Sequence, residues 1–199
     1  MKKLLVILAV LVAFAASASA QAPTPFSVYA GGALSLPQSD AFKASFDNGY
    51  HGFVGLGFKV APILQVIGKV EYHTFKFDFD NSVGSAGFTG GTNKMIMFGL
   101  DGKLSPNLPA SPVKPYFLGG LGLANIKQSE FEGPASLSLS LFNSIITESQ
   151  TKVYFNVGAG ADLLSNPAFG IFAQVRYVSI STDGESAAFV PISLGVRFF

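Results

Sequence analysis

Three groups of residues have types and spacings that bear on chemistry. Lys69, Glu71 and His73 stand two apart in residues 65–74 (QVIGKVEYHT). A histidine beside a carboxylate is a proton-transfer pair. Set among other polar side chains, the same residues make a hydrogen-bonded plug, which is the expected role here. His51 and His73 are the two histidines. A hydrolase would need one of them in reach of a serine, with an acidic residue orienting it, and neither precedes a serine at short spacing. Asp78-Phe79-Asp80-Asn81 gathers carboxylates as a hard-cation site does. It lacks the glycine and terminal glutamate of a calcium loop and reads as solvated loop. Cysteine is absent, which excludes thiolate metal sites, disulfides and cysteine nucleophiles. The glycines at 55, 57, 119, 120, 122, 158 and 160 form no G-x-x-x-x-G-K-[ST] loop. They relieve crowding on strands. No catalytic residue, metal ligand or cofactor is expected, and the protein is read as a non-enzyme.

The elements that would position these residues follow from composition and period. The chain has 199 residues, 49% hydrophobic and 13% charged. An average globular domain carries about 25% charged residues, so half the usual solvent-facing charge is missing. Disorder needs low hydrophobicity and high charge, and is excluded. Met1-Lys2-Lys3, the apolar run Leu4 to Ala16 and the small residues Ser17 to Ala20 have the three parts of a secretory signal peptide. Ala18 and Ala20 occupy the -3 and -1 positions of an A-x-A site. Residues 1–20 are therefore expected to be cleaved after Sec-dependent export, leaving 21–199 as one domain. Loss of Lys2 and Lys3 takes the net charge from +1 to -1. Nothing polybasic remains to bind nucleic acid.

Beyond the leader, apolar and polar residues alternate at period two, the signature of strands. Eight are predicted: 26–36, 50–60, 65–76, 94–104, 115–127, 151–164, 169–179 and 189–198. One face holds Val54, Leu56, Phe58, Val66, Val70, Tyr72, Phe98, Leu100, Phe155, Val157, Val175, Tyr177, Leu194, Val196 and Phe198 and no charge. The other holds Lys59, Lys69, Glu71, His73, Asp101, Lys103, Asp162, Gln174, Arg176 and Arg197. Residues 115–127 are apolar on both faces, which leaves their register open. Strands of about ten residues cross a bilayer with tilt. Short connections after the second and sixth strands alternate with long ones at 37–49, 77–93 and 128–150. That is the pattern of an outer-membrane barrel with short periplasmic turns. The expected fold is all-β: an eight-stranded antiparallel up-and-down transmembrane β-barrel. The uncharged face meets lipid, and the charged set forms a polar network that plugs the lumen. The loops carry nine acidic residues (Asp40, Asp47, Asp78, Asp80, Glu130, Glu132, Glu148, Asp183 and Glu185), and residues 135–141 alternate serine with leucine.

The leader, the stretch Lys114-Pro115-Tyr116-Phe117-Leu118-Gly119-Gly120-Leu121-Gly122 and the ending Pro191 to Phe199 together resemble the small outer-membrane β-barrel family, the OmpA-like and opacity-type barrels. The ending departs from the family pattern by one residue, with Arg197 third from the end. The resemblance implies residence in the outer membrane of a Gram-negative bacterium. It implies contact with outer-membrane lipid and lipopolysaccharide, and passage through periplasmic chaperones and the barrel-assembly machinery. The function it implies is structural or surface-interacting, exercised through the external loops, with the surface ligand unspecified. Two alternatives stay open: a small OmpW-like channel for hydrophobic compounds, and a lipid A-modifying enzyme.

Overall fold

The computed structural model describes residues 26–79, 89–106, 111–132, 149–182 and 186–199. The leader with Ala18 and Ala20, the pair Asp80-Asn81, the stretch 135–141, Glu148, Asp183 and Glu185 lie outside the described residues.

Alternation at period two along nearly every segment leaves a chain that can bury one face only as a sheet. Eight long strands form: β1 (Phe26–Pro37), β2 (Gly49–Ala61), β3 (Leu64–Phe75), β5 (Asn93–Leu104), β6 (Lys114–Gln128), β8 (Gln150–Ser165), β9 (Phe169–Ile180) and β10 (Ala187–Phe198). Their ends fall within two residues of those expected from the sequence. A short pair, β4 (Thr89–Gly90) and β7 (Phe131–Glu132), continues the β5–β6 hairpin beyond the barrel. A six-residue helix, α1 (Asp40–Ser45), follows β1.

Each long strand pairs antiparallel with its sequence neighbour, and β1 pairs with β10 from Val28↔Phe198 to Pro37↔Phe189. The sheet is a closed barrel. Closure satisfies every edge, which is the condition for a sheet in hydrocarbon, where no water can complete a free backbone group. At the end that holds Phe26 and Phe198, the β2–β3 and β8–β9 connections are tight. Between β8 and β9 the Asn166 side chain accepts the backbone N–H groups of Ala168 (2.9 Å) and Phe169 (2.8 Å), an Asx turn. The other end carries α1, β4 and β7.

The register of β6, ambiguous in sequence, is set by its neighbours: Tyr116, Leu118 and Ala124 are buried inward, while Phe117, Leu121 and Leu123 are exposed. An eight-stranded barrel leaves an interior just wide enough for side chains, so large inward groups need small partners. Tyr154 lies where side chains at Gly99 and Gly122 would stand, and the Phe172 ring comes within 2.5 Å of a Cβ placed on Gly195. These inward glycines are seats for rings on adjoining strands.

Candidate functional site

The side chains with chemical potential converge inside the barrel, in levels fixed by strand register. Nearest the chain termini, Lys103 (β5), Asp162 (β8) and Arg197 (β10) form one cluster. Lys103 Nζ donates to Asp162 Oδ1 at 3.0 Å and Oδ2 at 3.2 Å, and Arg197 Nη1 donates to Oδ2 at 3.1 Å. Two cations share one carboxylate here. The surplus charge faces rings: Lys103 Nζ lies 3.8 Å from the centroid of Tyr116 and 5.7 Å from that of Tyr29, and aromatic faces attract cations. Tyr116 OH donates to Gln174 Oε1 at 3.2 Å, and Tyr29 OH donates to Gln65 Oε1 at 2.5 Å.

One level up lie Lys69 and Glu71 (β3), Asp101 (β5) and Arg176 (β9), all buried. Lys69 Nζ is 2.9 Å from Glu71 Oε1 and 2.6 Å from Asp101 Oδ2. Arg176 grips Glu71 with two parallel donors, Nη1 to Oε1 at 3.0 Å and Nη2 to Oε2. Asn156 Nδ2 donates to Asp101 Oδ1 at 2.9 Å. Two cations and two anions cancel. Burying charges is tolerable only with such pairing, and the two-pronged guanidinium–carboxylate contact is the strongest form. Between the two clusters a cavity of about 20 Å³ touches Lys69, Asp101, Lys103 and Tyr116, room for about one water.

Above the ion pairs the two histidines stack, ring centroids 4.5 Å apart. Ser35 of β1 is drawn between them, its Oγ 3.1 Å from His51 Nδ1 and 3.3 Å from His73 Nδ1. Ser193 Oγ lies 3.4 Å from His51 Nε2. His73 Nε2 is 3.6 Å from Glu71 Oε2. Ser35, His73 and Glu71 thus occur in the order of a hydroxyl, a base and a carboxylate, a convergence that sequence spacing did not reveal. It arises because β3 aims His73 and Glu71 inward two residues apart, while β1, two strands away, aims Ser35 inward beside the histidine. As a catalytic device it is enclosed: Ser35 and His73 are each 0% exposed. Glu71 is already committed to Arg176 and Lys69.

The loop-side end of the lumen is apolar. Phe75, Met95, Met97, Ala124, Tyr154, Val178, Ile180 and Phe189 pack together. Phe42 of α1 drops into this cluster, 4.9 Å from Phe75 and 6.3 Å from Phe189 by ring centroids. From it a line of rings runs outward through Phe46 and Phe77 to Phe79 and Phe131. Backbone bonds between loops tie the line down, Asp47 N–H to the Lys76 carbonyl and Asp78 N–H to the Ser45 carbonyl, both at 2.9 Å.

Three sequence expectations need correction. Lys59 is exposed and takes no part in the lumen network. It has inward parity, but β2 slips register between Lys59 and Ala61 as it leaves the barrel rim, and water solvates the ammonium there. The lumen is also not polar throughout, since its loop-side part is the apolar cluster. Of the remaining charged-face residues, Lys69, Glu71, His73, Asp101, Lys103, Asp162 and Arg176 are buried, and Gln174 and Arg197 are half-buried. The face expected to hold no charge carries Lys94 at the loop end of β5 and Lys127 opposite it on β6; of its apolar residues, Val54, Leu56, Phe58, Val66, Val70, Tyr72, Phe98, Leu100, Phe155, Val157, Val175, Tyr177 and Leu194 are exposed. Val196 and Phe198, at the end of β10, are half-buried.

A family profile described as outer membrane protein beta-barrel domain matches residues 6–198. The chain belongs to this family. Membership accounts for the largely apolar outer wall and assigns the chain to outer membranes of the Gram-negative type. No curated protein sequence matches it. Among solved structures it is similar to Neisserial surface protein A, at 19% identity and TM-score 0.60 over 89% of this chain and 99% of that one. It is also similar to Ail, the attachment invasion locus protein of Yersinia pestis (20% identity, TM-score 0.52, 88% and 100% covered). A third similar structure is OprG from Pseudomonas aeruginosa (15%, 0.52, 87% and 94%). These likenesses establish the fold.

Proposed function

We propose that this outer-membrane barrel is a non-enzymatic, non-conducting scaffold that presents an acidic loop surface for contact outside the cell. The observation that carries this is the filling of the lumen. Ion-paired side chains occupy the half nearest the termini, and Phe42 with its ring and methionine neighbours closes the other. The same filling speaks against the channel alternative. The enclosure of Ser35 and His73 speaks against the enzyme alternative. Export through the leader cut after Ala20, delivery by periplasmic chaperones and insertion by the assembly machinery belong to the same proposal. So does the assignment of the exposed apolar face to lipid.

Charge points to the class of contact. Between the ends of the long strands on the loop side, residues 38–48, 76–92, 129–149 and 181–186 hold nine acidic residues against two basic ones, Lys43 and Lys76. Such a surface favours cationic partners or divalent cations, with a strength that falls as salt screens it. The test is adherence of bacteria carrying the protein to polylysine-coated and heparin-coated surfaces. Preference for polylysine, lost at high salt and lost when loops 37–49, 77–93 and 128–150 are replaced by short turns, is expected. Adherence unchanged by loop replacement in a barrel that still folds would contradict the proposal.

A further inference from the structure

The outward faces of the eight long strands carry two charged residues among all the described positions, Lys94 on β5 and Lys127 on β6. The register sets them directly opposite each other. Both are exposed, and neither has a hydrogen-bond or ion-pair partner among the described residues. Directly opposite side chains stand with Cβ atoms about 5 Å apart, and like charges so placed repel. An anion between two ammonium groups placed this way relieves that repulsion.

Their height on the wall limits which anion. Two residues back along the strands, about 7 Å, the outward pair is Ile96 and Asn125, and two further back it is Phe98 and Leu123. The lysines therefore sit at the loop-side border of the apolar band, where lipid headgroups begin. They open into a hollow of about 600 Å³ that is also lined by Gln128, Ser129, Glu130 and Glu132. The two glutamates form its loop-side wall and the lysines its membrane-side wall. An anion arriving from water on the loop side meets Glu130 and Glu132, which repel it. One carried in the membrane plane meets the lysines first.

We propose that Lys94 and Lys127 form a binding site for a lipid-borne phosphate of the outer leaflet. It rests on the exposed apolar face being the lipid-facing one, as proposed above. The two ammonium groups each donate to phosphate oxygens from below. Glu130 and Glu132 receive the cation that accompanies the headgroup, whether a bound amine or a divalent metal ion.

The test uses the full barrel in phosphatidylcholine nanodiscs doped with lipid A or with lipid A stripped of its phosphates. Lipid retained per barrel is read by native mass spectrometry, after each variant has shown the heat-modifiable gel band of a closed barrel. The wild-type barrel is expected to retain the phosphorylated lipid about tenfold over the stripped one. Lys94→Gln with Lys127→Gln removes that preference. Lys94→Arg with Lys127→Arg keeps it, as does Lys59→Gln with Lys114→Gln on the opposite rim. Equal retention of the two lipids by wild type, or an undiminished preference in the glutamine pair, overturns the site. Displacement of the lipid by excess inorganic phosphate overturns its assignment to a membrane-borne ligand. Failure of the lipid-facing assignment is read separately, by inserting a Val157→Arg barrel into the same bilayers: insertion as efficient as wild type refutes that assignment whatever the lysines do.

Discussion

The half of the lumen nearest the chain termini and the half beneath the loops solve one filling problem with different chemistry. The first is packed with ions: Lys69, Glu71, Asp101 and Arg176, then Lys103, Asp162 and Arg197. The second is packed with rings, methionines and branched aliphatic side chains around Phe42. The difference teaches what each half is for. Ion pairs are directional, and apart from Lys69–Glu71, which share β3, their partners lie on different strands, so a slipped register would leave charges buried and alone. They specify how the barrel closes. Apolar packing is less particular about partners but excludes water, so it seals. The polar column ends against this seal, where His73 packs on the rings of Phe75 and Phe189.

Removing one partner from the ionic half should have the largest effect. Glu71→Gln leaves Arg176 and Lys69 facing a neutral group. It should destabilise the barrel by about 3–5 kcal/mol in urea unfolding from lipid vesicles. Removing both sides, Glu71→Gln with Arg176→Met, should recover a large part of that loss. A double variant as unstable as the sum of the singles would end the claim that these charges act as a pair.

The outer wall is next. Val157→Arg on β8 should cost about 2–4 kcal/mol if it lies near the bilayer midplane, and Thr151→Arg, on the same outward face at the loop end, about 0–1 kcal/mol. Equal penalties in vesicle unfolding would overturn the facing assignment of that strand.

The smallest effect should come from Ser35→Ala. It removes a hydroxyl from between two histidines and should cost about 1 kcal/mol, with no change in any lipid hydrolysis assayed on the purified barrel. Hydrolysis by the wild type that Ser35→Ala abolishes would turn the histidine level from a structural feature into a catalytic one.

The outer wall was legible in the sequence because lipid imposes one rule on every strand. Val54, Phe98, Val157 and Leu194 each follow from the alternation of their own segment. The lumen was less legible because its partners are chosen across the barrel. Glu71 and Arg176 are 105 residues apart, and neither segment names the other. Ser35 could have been placed inward only by fixing the register of β1, whose run of FSVYAGGALSL is apolar on both faces. Met95, Met97, Val178 and Ile180 share parity with charged residues further down their own strands, so a single label for each face hid the change from ionic to apolar filling. Lys59 shows the converse limit. Parity continued past the rim, but the lumen did not.

The central claim is that both fillings together close the barrel. Planar-bilayer recording of the purified protein tests it most directly. The account predicts no steady conductance from the wild type. A persistent ohmic pore in the wild-type protein would contradict it.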